Sequence, residues 1–142
     1  MMKKTVVVFA LLLVTAINAL AGISLVHLRC EHLENPQGID VVQPRLSWQL
    51  QSGERGVKQA AYQILVACSE KNLARDIGDI WDSGKISSDE SILVACAGKN
   101  LASRTRCFWK VRVWDGSGKT SAWSPAASWT MGILSPSEWH AQ

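Results

Sequence analysis

The chain has 142 residues, is 47 % hydrophobic and 19 % charged, and carries seven tryptophans, four cysteines and a formal net charge of +3. That length supports one domain with a real core and excludes several. Lys3 and Lys4 lie in a segment expected to be removed, which leaves 13 basic side chains against 12 acidic ones, so the near-neutral balance excludes nucleic acid or an anionic membrane as partner.

Residues 1–21 read as an export signal. Lys3 and Lys4 give the positive start, Val6 to Val14 the apolar stretch, and Ala19-Leu20-Ala21 the small-x-small pattern that places cleavage before Gly22. The apolar run is too short for a membrane span, so no membrane contact is expected after cleavage. Export places Cys30, Cys68, Cys96 and Cys107 in an oxidising compartment, where they are candidate disulfide cysteines. Four cysteines allow three connectivities, and one bridge or none fits the sequence equally. No two have the close spacing of a structural zinc site, and a strand would point His27 away from Cys30 and His32, so no metal or cofactor is expected.

Val26 to Glu31 is the first expected strand, and Asn35-Pro36-Gln37-Gly38 has the composition of a turn. Arg45 to Leu50 alternates, with Leu46, Trp48 and Leu50 on one face; Gln51 to Gly56 then reads as a hairpin connection. Ala60 to Ala67 puts Tyr62, Ile64 and Val66 in register on the core side, and the polar stretch Ser69 to Gly78 has room for one helical turn. Ile80 to Ile86 reads as a short strand bent at Gly84, Ser91 to Ala95 as another, and Lys99 to Thr105 as a connection.

Arg106 to Asp115 is the most regular segment. Cys107, Trp109, Val111 and Val113 point one way, and Phe108, Lys110, Arg112 and Trp114 the other, giving one buried and one partly wet face. Gly116-Ser-Gly-Lys119 lacks the rest of a phosphate loop and reads as a hairpin turn. Ser128 to Met131 is the last expected strand. About seven short strands with turns between them predict an all-β, antiparallel β-sandwich over residues 22–132, with 133–142 a linker or the start of a following domain.

A repeat interrupts this pattern. Ile64-Leu-Val-Ala-Cys68 recurs as Ile92-Leu-Val-Ala-Cys96, and Lys71-Asn-Leu-Ala74 as Lys99-Asn-Leu-Ala102. Two copies do not make a solenoid, but they place Cys68 and Cys96 at equivalent strand ends.

Chemistry is harder to find. A glycosidase needs two carboxylates facing across a sugar, whereas Asp76, Asp79, Asp82, Asp89 and Glu90 fall in polar connections where solvation is the default. Three histidines and no nucleophile elbow give no triad, so no catalytic residue is assigned. Trp48 and Trp109 have core spacing; Trp114, Trp123 and Trp139 are candidates for contact with a sugar or with a neighbouring domain, and the domain contact is favoured.

The order Trp48, Tyr62-x-Ile64-x-Val66, Leu101 and Trp109-x-Val111-x-Val113 resembles a fibronectin type III or immunoglobulin-like sandwich. A finer series is more specific: Leu28-Arg-Cys-Glu31, Asn35-Pro-x-Gly-Ile-Asp40, Gln43-Pro-Arg-Leu-Ser-Trp48, Ala61-Tyr-Gln-Ile-Leu-Val-Ala67, Trp81-Asp-Ser-Gly-Lys85, Phe108-Trp-Lys-Val-Arg-Val-Trp-Asp115 and Trp129-x-Met-Gly132. In that order, over residues 24–142, these resemble the N-terminal sandwich domain of secreted bacterial α-L-rhamnosidases, glycoside hydrolase family 78. The resemblance implies a non-catalytic accessory domain, because the family's inverting acid and base lie in a later (α/α)₆ barrel with no counterpart here. It implies bacterial export, the enzyme's downstream domains as partners, and a rhamnose-containing polysaccharide as a further candidate partner. The chain is then expected to be truncated at the entry to the next domain and inactive alone. The alternative expectation is a free-standing carbohydrate-binding module that uses exposed tryptophans. Cys68 and Cys96 depart from the family pattern.

Overall fold

The computed structural model describes residues 22–139, so the segment expected to be an export signal and the last three residues lie outside the described residues. Eight strands form two sheets: β1 (Ser24–Cys30), β2 (Gln37–Ile39), β3 (Arg45–Gln51), β4 (Gln59–Ala67), β5 (Trp81–Asp82), β6 (Val94–Ala95), β7 (Arg106–Asp115) and β8 (Ala127–Met131). One sheet has the order β1-β3-β6 and the other β2-β8-β7-β4-β5. Among the described residues one short α-helix, α1 (Glu70–Ala74), follows β4, and a 3-10 turn spans Pro136–Glu138.

The alternating segments form the core as their period requires. Leu25, Cys30, Leu46 and Trp48 from the small sheet face Tyr62, Ile64, Val66, Trp109, Val111, Val113 and Trp129 from the large one. The central pair is β4 with β7, antiparallel from Gln59 opposite Asp115 to Ala67 opposite Phe108. Trp48 meets Tyr62 edge-on, with ring centroids 5.3 Å apart, and its indole N–H donates to Gln59 Oε1 at 3.0 Å. Gln59 is itself buried and donates to the carbonyls of Ser88 and Glu90, which fastens the long 83–91 connection to the core.

Three readings from sequence change. Residues 52–58 cross from one sheet to the other rather than close a hairpin, since β3 pairs with β1 and β6 while β4 pairs with β7 and β5. The expected turn at 35–38 contains the start of β2, which runs parallel to β8, so the five-stranded sheet is mixed while the three-stranded one is antiparallel as expected. The strands expected over 80–86 and 91–95 shrink to two residues each, with Ile86 making only an isolated bridge to Tyr62. The expected helical turn is α1: Ser69 Oγ accepts from the Asn72 N–H at 3.1 Å, an N-cap, and Leu73 packs on Leu65, Ala67 and Phe108 outside the large sheet.

The edge strand β1 is irregular. Its register shifts between Val26 and Arg29, with His27 at φ 51, which blunts an edge that could otherwise recruit another strand. Beyond it, Glu31 accepts from Arg45 Nε at 3.1 Å, Nη2 at 2.7 Å and the Arg45 backbone N–H at 2.8 Å, locking the end of β1 to the start of β3. Those bonds hold the Glu31 carboxyl below the usual range. A depressed carboxyl stabilises the fold above its unfolded value of 4.5, and the benefit disappears as pH falls through the folded value. Glu31→Gln is therefore expected to lower the melting temperature by roughly 1–3 °C at pH 7, and the gap between the two melting curves should narrow as pH falls below 4.5. A gap that stays constant as pH falls would mean the pair acts through packing alone.

Candidate functional site

The outer face of the large sheet carries the densest side-chain constellation. The period of β7 puts Phe108, Lys110, Arg112 and Trp114 there, and β4 adds Gln63 and Leu65 beside them. The chain then turns at Asp115, whose Oδ1 accepts from the N–H groups of Ser117 and Lys119, both at 2.9 Å, with Gly118 at φ 84. These bonds, led by that of the Ser117 hydroxyl, hold Asp115 below its ordinary value. Residues 121–124 return along β7 in a three-residue rhythm. Ser121 Oγ accepts from the Val113 N–H at 3.0 Å and Ser124 Oγ from the Val111 N–H at 3.1 Å, and both serine N–H groups donate back to those residues' carbonyls at 2.8 Å. That rhythm turns Trp123 out over β7.

The result is a ladder of alternating cations and rings. Lys85 Nζ lies 4.9 Å and Arg112 Cζ 5.2 Å from the centroid of Trp114; Arg112 Cζ lies 4.5 Å and Lys110 Nζ 4.9 Å from that of Trp123. Carboxylates and an amide fix the cations. Gln63 Oε1 accepts from Arg112 Nε at 3.0 Å and Nη2 at 2.8 Å, and Gln63 Nε2 donates to Asp82 Oδ1 at 2.9 Å. Lys110, only 8 % exposed, pairs with Asp76. Each cation–ring contact contributes about 0.5–2 kcal/mol, depending on how dry it is. Chemically the ladder ties both half-buried rings to the sheet: each has two cations within 5.2 Å of its centroid.

The three tryptophans singled out from sequence therefore separate. Trp114 and Trp123 come together in the ladder and are half-buried, whereas Trp139 is 71 % exposed at the far end of the last described segment. The partners of the rings, Lys85, Lys110 and Arg112, were not singled out from sequence, although the β7 alternation already put two of them beside Trp114.

The carboxylates also acquire structural roles. Asp79 Oδ1 accepts from the Cys68 N–H at 3.1 Å; burial would raise its carboxyl, but hydrogen bonds from the Cys68 thiol and backbone outweigh that and lower it. Asp82 accepts from Gln63 and from the Gly84 N–H. Asp76, Asp79 and Asp82 each spend an oxygen on holding a strand or loop.

All four cysteines are free thiols. Cys30, Cys96 and Cys107 are buried in one core cluster, and burial pushes the Cys30 and Cys107 thiols up to about 12 and raises that of Cys96. Cys68 is exposed. The two repeated pentapeptides do end at matching places, one residue beyond β4 and one beyond β6, yet in opposite surroundings: Cys68 faces solvent while Cys96 is in the core. His27 is 3.6 Å from Glu34, on the surface and away from buried Cys30.

Two shallow grooves meet at Asn35, Ala126 and Ala127. One, of about 350 Å³, is lined by Gln37, Glu70, Arg106 and Thr130; the other, of about 370 Å³, by Leu25, His27, Leu28 and Pro125. In the first, which Phe108 also lines, the Arg106 guanidinium lies 4.9 Å from the Phe108 ring centroid. No helix among the described residues is long and apolar enough to cross a membrane.

Residues 25–135 match the family described as Rha78A-like, N-terminal immunoglobulin domain. The chain is 46 % identical over 112 residues to an α-L-rhamnosidase of Streptomyces avermitilis, covering 79 % of this chain and 11 % of that protein. It is 40 % identical over 112 residues to an α-L-rhamnosidase of Formosa agariphila, covering 79 % and 12 %. Among solved structures, the Streptomyces avermitilis α-L-rhamnosidase complexed with L-rhamnose superposes with a TM-score of 0.81 at 43 % identity, over 84 % of this chain and 12 % of that one. The chain thus spans about 11–12 % of the length of these relatives.

Proposed function

Because this chain belongs to the family of Rha78A-like N-terminal immunoglobulin domains, homologous to the first part of glycoside hydrolase family 78 α-L-rhamnosidases, we propose that it is the architectural N-terminal module of an exported bacterial α-L-rhamnosidase. In this reading residues 22–132 are the module, residues 133–142 lead into the next domain, and residues 1–21, outside the described residues, direct export. The named curated relatives, from Streptomyces and Formosa, support a bacterial setting. The observation that carries the reading is the extent of the match. It takes in the whole sandwich, from Leu25 to Ser135, yet only 11–12 % of each named relative.

The geometry supports a scaffold over a sugar-binding module. Arg112, Lys110 and Lys85 pack against the half-buried rings of Trp114 and Trp123, within 5.2 Å of their centroids, and the carboxylates at 76, 79 and 82 are committed to loops. Titrating the chain with L-rhamnose and rhamnose-terminated oligosaccharides is expected to give no saturable change in tryptophan fluorescence, and rhamnoside hydrolysis by the chain alone should stay at background. A saturable change that disappears in Trp114→Ala or Trp123→Ala would replace the scaffold with a carbohydrate-binding module.

A further inference from the structure

The two ends of the sandwich differ in kind. At one end lie the connections 52–58 and 116–120, built from Ser, Gly, Glu, Arg, Lys and Thr around a half-buried Val57. At the other end, the end of β1 meets the start of β3 through Glu31 and Arg45. Close by, the Gly132 N–H donates to the Ile39 carbonyl at 2.7 Å, and the Cys96 N–H to the Pro44 carbonyl at 2.9 Å. These bonds bring the turn after β1, the β2–β3 link and the exit of β8 to one pole. The last segment is fastened to the same pole: the Leu134 N–H donates to Ser103 Oγ at 2.8 Å, and Ser103 in turn pairs with Glu138.

This pole carries Leu33, 57 % exposed, Val41 at 37 %, Val42 at 55 % and Trp139 at 71 %. None of the exposed large hydrophobic residues among the described residues falls in 52–58 or 116–120. Scattered apolar side chains on a surface need no explanation, but four gathered at the end where the chain leaves, with a polar opposite end, mark a contact surface.

We propose that this pole is the docking surface for the domain that follows the sandwich in the longer polypeptide, with Leu33, Val41, Val42 and Trp139 as its apolar contacts. The proposal rests on the architectural reading above and names its surface. The occupant follows from connectivity: the matched family is an N-terminal domain covering 11–12 % of its relatives, so most of their length lies beyond it. Trp139 already stands at this pole, so the domain joined after it begins over these side chains.

The test is a chimera in which residues 22–139 replace the matching domain of the Streptomyces avermitilis α-L-rhamnosidase, studied by calorimetry beside the chain alone. The expected result is one shared transition in the parent chimera. Leu33→Asp with Val42→Asp should split off a sandwich transition at the temperature of the isolated chain, a drop of roughly 5 °C or more. Lys119→Asp at the opposite end should leave the shared transition intact. In the isolated chain the same double variant should melt as the parent does, since both positions are exposed. A parent chimera that melts cooperatively while the double variant stays cooperative too would overturn the pole but keep the scaffold. A parent chimera whose sandwich melts separately would overturn both. An isolated chain that dimerises, and loses the dimer on Val42→Asp, would make a second copy the occupant and overturn the proposal.

Discussion

Trp109→Ala is expected to remove a large share of the stability of the sandwich. Trp109 sits in β7 opposite Val66 on β4 and Ala127 on β8, fully buried where both neighbouring strands turn their side chains to the small sheet. Truncating a buried tryptophan costs about 3–5 kcal/mol, through lost transfer energy and the cavity left behind. Domains of this size are stable by about 5–15 kcal/mol in all, so the variant should melt roughly 10–25 °C lower or fail to accumulate. Trp139→Ala is the matched control, since that ring is largely in water and removing it should leave the isolated chain unchanged. Trp114→Ala should fall between, losing its contacts with Lys85 and Arg112 but little burial. Thermal denaturation followed by circular dichroism ranks the three. Equal losses at 109 and 139 would contradict the placement of the core.

The elements legible in the sequence are those whose pairing follows from their own alternation. β3, β4 and β7 show a period of two over seven or more residues, and burial of alternate side chains between the sheets enforces it. β2 was not legible, because three residues beside Pro36 carry turn chemistry and become a strand only by pairing with β8, some ninety residues later. The connection over 52–58 shows the same limit. Its polar, glycine-bearing composition suits a hairpin and a crossing between sheets equally, and only the distant partners of β3 and β4 decide.

The repeated Ile-Leu-Val-Ala-Cys makes the point within one chain. Ile64 is fully buried in the centre of the large sheet, whereas Ile92, the same residue in the same local sequence, is 72 % exposed beside a two-residue strand. Local sequence is identical; tertiary context decides. Half of the ladder was legible on the same terms. The alternation of β7 put Lys110, Arg112 and Trp114 on one face, but Lys110 reads as wet in sequence and is buried in the fold. The cover comes from Trp123, held by hydroxyls on a three-residue rhythm that a search for alternation passes over.

Reduced protein is expected to unfold as pH rises from about 9 towards 12, and the buried thiols set that window. Burial keeps Cys30 and Cys107 protonated up to about 12 in the fold, against an ordinary value of 9.0 in the unfolded chain. Below 9.0 both states hold the protons and stability is intact. Above it the unfolded chain releases protons that the folded one keeps, so stability falls with each further unit until the folded thiols ionise. Each unit of difference corresponds to about 1.4 kcal/mol per thiol, so two thiols shifted this far remove several kcal/mol, on the scale of the whole stability of a small domain. Cys96, raised by the same burial, acts in the same direction. Urea midpoints should hold from pH 7 to 9 and then fall steeply, and thiolate absorbance from the buried cysteines should rise only as circular dichroism is lost. Cys107→Ala should begin lower at pH 7, because it removes a buried sulfur, and decline less steeply above pH 9, so the two curves draw together. Thiolate absorbance from all four cysteines with a midpoint near 9 in a protein that keeps its circular dichroism would show these thiols open to solvent. The burial that makes them alkali-sensitive also removes them from thiolate chemistry at neutral pH, which leaves Cys68 as the thiol within reach of solvent oxidants.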